Sequence, residues 1–209
     1  MAILAGLTGT IGSGKTLAAS YFKELGAHII DADALARELV CPGQPALAEI
    51  VEAFGAGVLS PDGSLDREKM AAIVFSDPAQ KKTLESILHP RIIAREMEAY
   101  QAIRRLDPCA VVIVDAAVLI ESGNYRNMDK VIVVAAGEEA RAERAARRGG
   151  LSREEIEARE ATQWCLEEKL KYADFVLDNR GDEAALKKNV GVLHARLREL
   201  AVVSPQPGV

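Results

Sequence analysis

The sequence is poor in the features that mark a secreted, membrane or nucleic-acid-binding protein. Only three cysteines occur in 209 residues, Cys41, Cys109 and Cys165. They are odd in number and too far apart for metal-ligand spacing, so no disulfide framework is expected, and the chain fits a reducing cytoplasm. No apolar run reaches the roughly 18 residues that a membrane span needs. The N-terminus enters an apolar stretch with no basic region before it, so no signal peptide is expected. His28, His89 and His194 are too scattered to suggest a metal site. Basic residues are also in deficit, at 26 Lys and Arg against 31 Asp and Glu, giving a net charge of −5. Nucleic-acid binders are more often basic. The expectation is a cytoplasmic protein with no nucleic-acid or membrane partner.

What is present is more specific. Gly9-Thr10-Ile11-Gly12-Ser13-Gly14-Lys15-Thr16 satisfies the phosphate-loop pattern G-x-x-x-x-G-K-[ST] without mismatch. The apolar stretch Ile3–Thr8 precedes it and reads as a buried strand. Leu17–Leu25 follows and reads as a helix ended by Gly26. Strand, glycine loop and helix are the context that gives the pattern a mechanism. Glycines bring backbone N–H groups close to phosphate oxygens, and the helix N-terminus adds partial positive charge there. Thr10, Ile11, Gly12, Ser13, Gly14, Lys15 and Thr16 are therefore the candidate ATP-binding residues. Lys15 would reach the β- and γ-phosphates, and the Thr16 hydroxyl would hold Mg²⁺.

Apolar or β-branched runs near 3–8, 28–31, 110–115, 130–136 and 174–178 alternate with helical patterns. That alternation predicts an α/β fold, a doubly wound five-stranded parallel sheet of the phosphate-loop kinase type. The connection across 33–109 is too long for one crossover helix and reads as a helical insertion. Helices are expected from Ala34 to Val40, near 45–54 and 66–75, after Asp77-Pro78, and from about Pro90 to Arg105. Asp66 and Asp77 are expected as N-caps. In a nucleotide kinase such an insertion would hold the phosphate acceptor. A second helical region, 138–169, carries Arg141, Arg144, Arg147, Arg148, Arg153 and Arg159 around Gly149-Gly150 and reads as a hinged lid. The expected division is a nucleotide core at 1–32, 107–137 and 170–203, an acceptor domain at 33–106, a lid at 138–169 and a disordered tail at 204–209.

Several residues admit two readings from spacing alone. Asp33 follows the second strand and either takes or positions a hydroxyl proton for in-line attack, or caps the next helix; Asp31 competes for the first role. Val111–Asp115 resembles the strand whose aspartate holds Mg²⁺ through water, yet strands ending in Asp are common. Arg144 and Arg148 share a helix face and could stabilise the migrating phosphoryl group, or be a solvated face. Trp164, the single tryptophan, lines a ligand or packs a helix. His89-Pro90-Arg91 reads as a helix opening with Pro in the first turn, and Arg91 and Arg95 read an anion or lie on the surface. Asn179-Arg180-Gly181-Asp182 mimics a guanine-reading element, but it overlaps the D-x-x-G that a GTPase needs well upstream. The segment reads instead as a loop where Asn179 could touch the nucleotide base. A GTP-dependent switch and a different small-molecule kinase remain as competing functions.

With these residues in order, the chain resembles the dephospho-CoA kinases from Leu7 to about Gly181. The resemblance rests on Leu7–Thr16, on Ile30-Asp31-Ala32-Asp33 with Ala36-Arg37, on Leu88–Ile92 and on Leu119–Gly123. It continues through Arg144 and Arg148 before Gly149, then Arg159, Gln163, Lys169 and Ala173–Asn179. It implies transfer of the γ-phosphoryl of ATP to the ribose 3′-hydroxyl of dephospho-CoA, with Mg²⁺, in a monomer or weak homo-oligomer. It implies catalytic roles for Asp33, Lys15 and Arg144. It implies acceptor contacts at Thr8, Asp33, Arg37, His89 and the 117–121 loop with Ala117, Leu119 and Glu121, and lid contacts at Arg144 and Arg148. The chain departs from the family at Gly9-Thr10, where Gly-Gly is usual, at Thr16-Leu17 in place of Ser-Thr, at Ala117 in place of a proline, and after Gln163.

Overall fold

A computed structural model describes residues 1–137 and 163–203. Residues 138–162 of the expected lid, with Arg144, Arg148 and the Gly149-Gly150 hinge, and the expected tail lie outside the described residues.

Five strands form one sheet: β1 (Ile3–Gly9), β2 (His28–Asp31), β3 (Val111–Asp115), β4 (Lys130–Ala135) and β5 (Phe175–Asp178). Their order is β2-β3-β1-β4-β5, and all pairs are parallel. Position in the sheet explains strand composition. Every residue of β1 and β3 is buried, as strands covered on both faces must be, whereas edge strands β2 and β5 alternate with exposed positions. All five expected strands are therefore present within a residue or two of their expected limits.

Helix α1 (Lys15–Glu24) and the last helix, Glu183–Val203, pack Phe22, Leu186, Val190 and Leu197 against Leu7, Ile113, Ile132 and Leu177 in one core cluster. Full burial of each such side chain contributes about 1.5–3 kcal/mol. On β1, Gly6 gives room to Leu119, whose Cδ2 would lie 2.4 Å from a Cβ built there.

The chain divides into two compact units, Met1–Asp31 with Ala99–Val209, and Ala32–Glu98. The second unit holds α2 (Ala32–Leu39), α3 (Pro45–Phe54), a 3₁₀ turn at Ala56–Val58, α4 (Arg67–Ser76) and most of α5 (Pro78–Leu106). Its own core is Val40, Ile50, Val58 and Met70, with Phe54, Leu65, Ile73, Leu84 and Leu88 packed around them. Asp66 caps α4 by accepting from the Lys69 amide at 3.1 Å, and Asp77 accepts from the Ala79 amide at 2.8 Å.

One expectation is corrected. His89-Pro90-Arg91 does not open a helix, because α5 runs unbroken for 29 residues with Pro90 inside it. An interior proline removes one ladder bond and clashes with the preceding turn, at about 3 kcal/mol. Leu84, Ile87 and Leu88, packed on the second core just before it, offset that cost. Arg91 Nη1 also donates to the Ile87 carbonyl at 2.6 Å in the affected turn.

Candidate active site

The phosphate loop leaves β1 and enters α1 as its spacing requires. Gly12 and Gly14 have φ of 73° and 89°, in the left-handed region that side chains rarely adopt, and Gly14 is the N-cap of α1. Gly9 is needed for a different reason. A Cβ there would lie 2.6 Å from Ser13 Oγ and 2.9 Å from the Val134 carbonyl oxygen, so the loop folds back over its own start. The first turn of α1 carries no acidic residue that would compete for its amide groups.

The loop is braced from within and by Asn179 from outside it. The Ser13 amide donates to the Thr10 carbonyl at 3.0 Å. Asn179, just past β5 and almost fully buried, donates its side-chain amide to the Ser13 carbonyl at 2.7 Å. Arg180 folds onto Asp178 through its backbone amide, Nε and Nη2, which holds the Asp178 carboxyl below its usual range. The segment that mimics a guanine-reading element is thus shaped by contacts to its own strand end and to the loop.

Lys15, the first residue of α1, is ion-paired through Nζ with Asp115 Oδ1 at the end of β3. Asp115 stands in register with Leu7 of β1 and Asp31 of β2, so the carboxyl ends of three strands converge here. That is where ligands bind in open parallel sheets. The Thr16 hydroxyl follows on an exposed residue. A hydroxyl and a carboxylate are hard oxygen donors, and Mg²⁺ takes only one or two carboxylates beside phosphate oxygens and water. The residues fit that ion.

A second polar group gathers around Thr8, near the end of β1. Thr8 Oγ1 donates to the Ala117 carbonyl at 3.1 Å. Lys169, in the short helix α6 (Leu166–Leu170), is fully buried, and its Nζ donates to Glu121 Oε1 at 2.7 Å and to the Ala117 carbonyl at 3.0 Å. Burial pushes the Lys169 ammonium below its ordinary value, Glu121 partly offsets this, and the charge of Lys15 adds to the depression. Glu121 Oε1 also accepts from the Trp164 amide at 2.8 Å. Trp164 is more than a third exposed and leans on Tyr172, with ring centroids 5.6 Å apart. It packs an aromatic cluster with Tyr125, whose ring meets Tyr172 edge-on at 4.9 Å.

The remaining candidates separate. Leu119 is fully buried in the core, where its side chain is closed to an acceptor, because it fills the space that Gly6 leaves. Ala117 is half-buried. In the second unit, Asp33 lies in the first turn of α2 rather than ahead of it, since the helix begins at Ala32. Asp33 and Arg37 are exposed and four residues apart, on one helix face. His89 is half-buried on α5, and burial lowers its pKa. Arg91 pairs with Glu49, and Arg95 with Glu98.

The loop is legible in the sequence; the two readings of Asp115 stay open there, the Lys15–Asp115 pair is not foreseen, and no role is placed on Lys169. No local spacing signals either contact, since the partners lie 100 and 48 residues apart.

Comparison with known proteins agrees with this geometry. The profile of the family described as dephospho-CoA kinase matches residues 3–185. A dephospho-CoA kinase of Leifsonia xyli subsp. xyli is 44% identical over 93% of this chain and 98% of its own. The crystal structure of TT1252 from Thermus thermophilus has a TM-score of 0.78 at 35% identity, covering 94% of this chain and 98% of that one. The dephospho-CoA kinase structure from Campylobacter jejuni has a TM-score of 0.70 at 30% identity, covering 95% and 98%. With an intact phosphate loop on a five-stranded parallel sheet of the phosphate-loop kinase type, and with relatives matched over nearly their whole length, the chain belongs to the dephospho-CoA kinase family.

Proposed function

We propose that this chain transfers the γ-phosphoryl group of ATP to the ribose 3′-hydroxyl of dephospho-CoA, giving coenzyme A and ADP. The observation that carries the reading is the phosphate loop with Lys15 held on Asp115 at the carboxyl ends of β1 and β3, in a chain of this family.

The loop amides and the α1 N-terminus bind the β- and γ-phosphates, and Lys15 moves from Asp115 toward them as they bind. The bond between γ-phosphorus and its bridging oxygen breaks as the bond from the acceptor O3′ forms. Asp33 positions that hydroxyl and accepts its proton, and the alternative is that it positions without accepting. Thr16 and Asp115 are the groups that would hold Mg²⁺, which when bound neutralises charge on the phosphates. Arg144 and Arg148 are assigned to the transferring phosphoryl group. Thr8, Arg37, His89, Ala117 and Glu121 are assigned to the acceptor, and the helical stretch 33–106 is read as the acceptor domain. Asn179 serves the nucleotide through its hold on Ser13, which favours a supporting role over direct contact with the base.

The test is ADP release from Mg-ATP with dephospho-CoA as acceptor, beside AMP, CMP and pantothenate. Release with dephospho-CoA alone supports both reaction and acceptor. Release with a different acceptor, or with none, overturns the assignment while leaving nucleotide binding intact.

A further inference from the structure

Lys169 is the one lysine of the described residues that is fully buried, and it uses every proton it has. Its Nζ donates to Glu121 Oε1 at 2.7 Å, to the Ala117 carbonyl at 3.0 Å and, more weakly, to Thr8 Oγ1 at 3.4 Å. An ammonium has three N–H donors, so none is left for a ligand. The three acceptors come from places that matter to the loop. Thr8 is the residue before Gly9, where the loop begins. Ala117 lies two residues past Asp115, the partner of Lys15. Glu121 closes the same turn and accepts from the backbone of Trp164 as well.

One buried cation therefore links the end of β1, the turn after β3 and the chain entering α6. Stability alone does not account for it. Removing two charges from water is costly, and apolar residues of similar volume in place of a buried pair are often as stable or more so. What an apolar pair cannot do is hold the Thr8 hydroxyl and the Ala117 carbonyl at hydrogen-bond distance from one point. The distance held here sets how the start of the loop sits against the strand end that carries Asp115. Asp115 lies two residues before Ala117, and Thr8 immediately precedes the loop that ends in Lys15 and Thr16.

We propose that Lys169 is a positioning residue for phosphoryl transfer, acting through Thr8 and Ala117 to hold the phosphate loop in register with Asp115, and through Glu121 to tie that register to the Trp164 segment. The inference rests on the kinase reading above for its rate effects, but the linkage itself does not.

Two variants of the full chain test it, Lys169→Met and the double variant Lys169→Met/Glu121→Gln. The single variant leaves the Glu121 carboxylate buried without its cation and is expected to melt well below the parent. The double variant removes that charge and is expected to recover much of the melting temperature. Displacing reacting groups by about 1 Å costs on the order of 10²-fold in rate. Both variants are therefore expected to lose about that factor in kcat, with KM for ATP nearly unchanged. A direct acceptor contact by Glu121 would instead appear as a raised KM for the acceptor. If the double variant regains parental kcat together with parental melting, the pair only fills space and the proposal is overturned.

Trp164 is the single tryptophan, so its emission gives a second readout. Titration with Mg-ATP and no acceptor should change the emission of the parent protein. That change should be lost in the double variant while calorimetry still detects ATP binding. An unaltered emission change in the double variant overturns the linkage. This arm does not depend on the acceptor, so a parent that binds ATP but ignores dephospho-CoA would overturn the function while leaving this test intact.

Discussion

Lys15 and Asp115 form an ion pair that joins the first residue of α1 to the last residue of β3 across the mouth of the phosphate loop. Both side chains are mostly buried, at 15% and 11% exposure. The lysine is thus held at the loop before any phosphate arrives, and a phosphate must draw it away from a carboxylate rather than from water.

Replacement of Lys15 by alanine removes a charge-assisted hydrogen bond, worth about 1.5–3 kcal/mol. The expected loss in kcat/KM for ATP is about 10- to 150-fold by the usual conversion of free energy to rate. Both kcat and KM should worsen, because the ammonium acts on bound ATP and on the transition state. Steady-state kinetics with ATP varied decides this, and an unchanged KM would mean that Lys15 stays with Asp115 throughout.

Gly9→Ala tests the close approach in the loop. The added Cβ meets both Ser13 Oγ and the Val134 backbone oxygen, and only the first can rotate away. Overpacking of this kind costs about 1–3 kcal/mol. The variant should melt lower than the parent and bind ATP more weakly by calorimetry. Parental affinity would show that the loop can shift without loss.

Asp33→Asn keeps the shape of the side chain and removes its charge on an exposed first turn of α2. With Asp33 as proton acceptor, kcat should fall by about 10²–10⁴-fold, the range for general base catalysis. ATP affinity should stay close to parental. If turnover survives, Asp33 contributes only to the helix, and Asp31 becomes the carboxylate to replace next.

Tyr21 supplies a pH dependence. Its hydroxyl donates to Glu183 Oε1 at 2.5 Å, joining α1 to α7 (Glu183–Val203), and this bond, with burial and the negative charges of Glu183 and Glu24, pushes the phenol up to about 12. An unfolded tyrosine titrates near 10. The folded state therefore holds the proton more tightly, and the contribution is complete below pH ~10 and lost as pH rises toward about 12. The melting difference between the parent and Tyr21→Phe should be constant near pH 8 and shrink through that window. A difference that persists unchanged above it would rule out the phenol proton as the cause.

The legible part of the site is the part written in short range. Gly9–Thr16 declared its geometry because glycine, lysine and threonine at fixed offsets permit one kind of loop between a strand and a helix. The strands were readable because a sheet covered on both faces demands runs such as Val111–Val114. Pro90 misled for the same reason. Local preference predicts a helix start at proline, and only the core contacts of Ile87 and Leu88 in the second unit explain why α5 continues through it.

The sequence by itself determined the strands, the phosphate loop, the caps at Asp66 and Asp77, and the family, since each depends on neighbours along the chain or on ordered motifs. The tertiary structure alone decided that Lys15 pairs with Asp115, that Asn179 braces Ser13, that Leu119 belongs to the core, and that Lys169 reaches Thr8 across 161 residues. Those contacts depend on β1 lying between β3 and β4 in the sheet, and strand order is set by how whole strands and helices bury their apolar faces together.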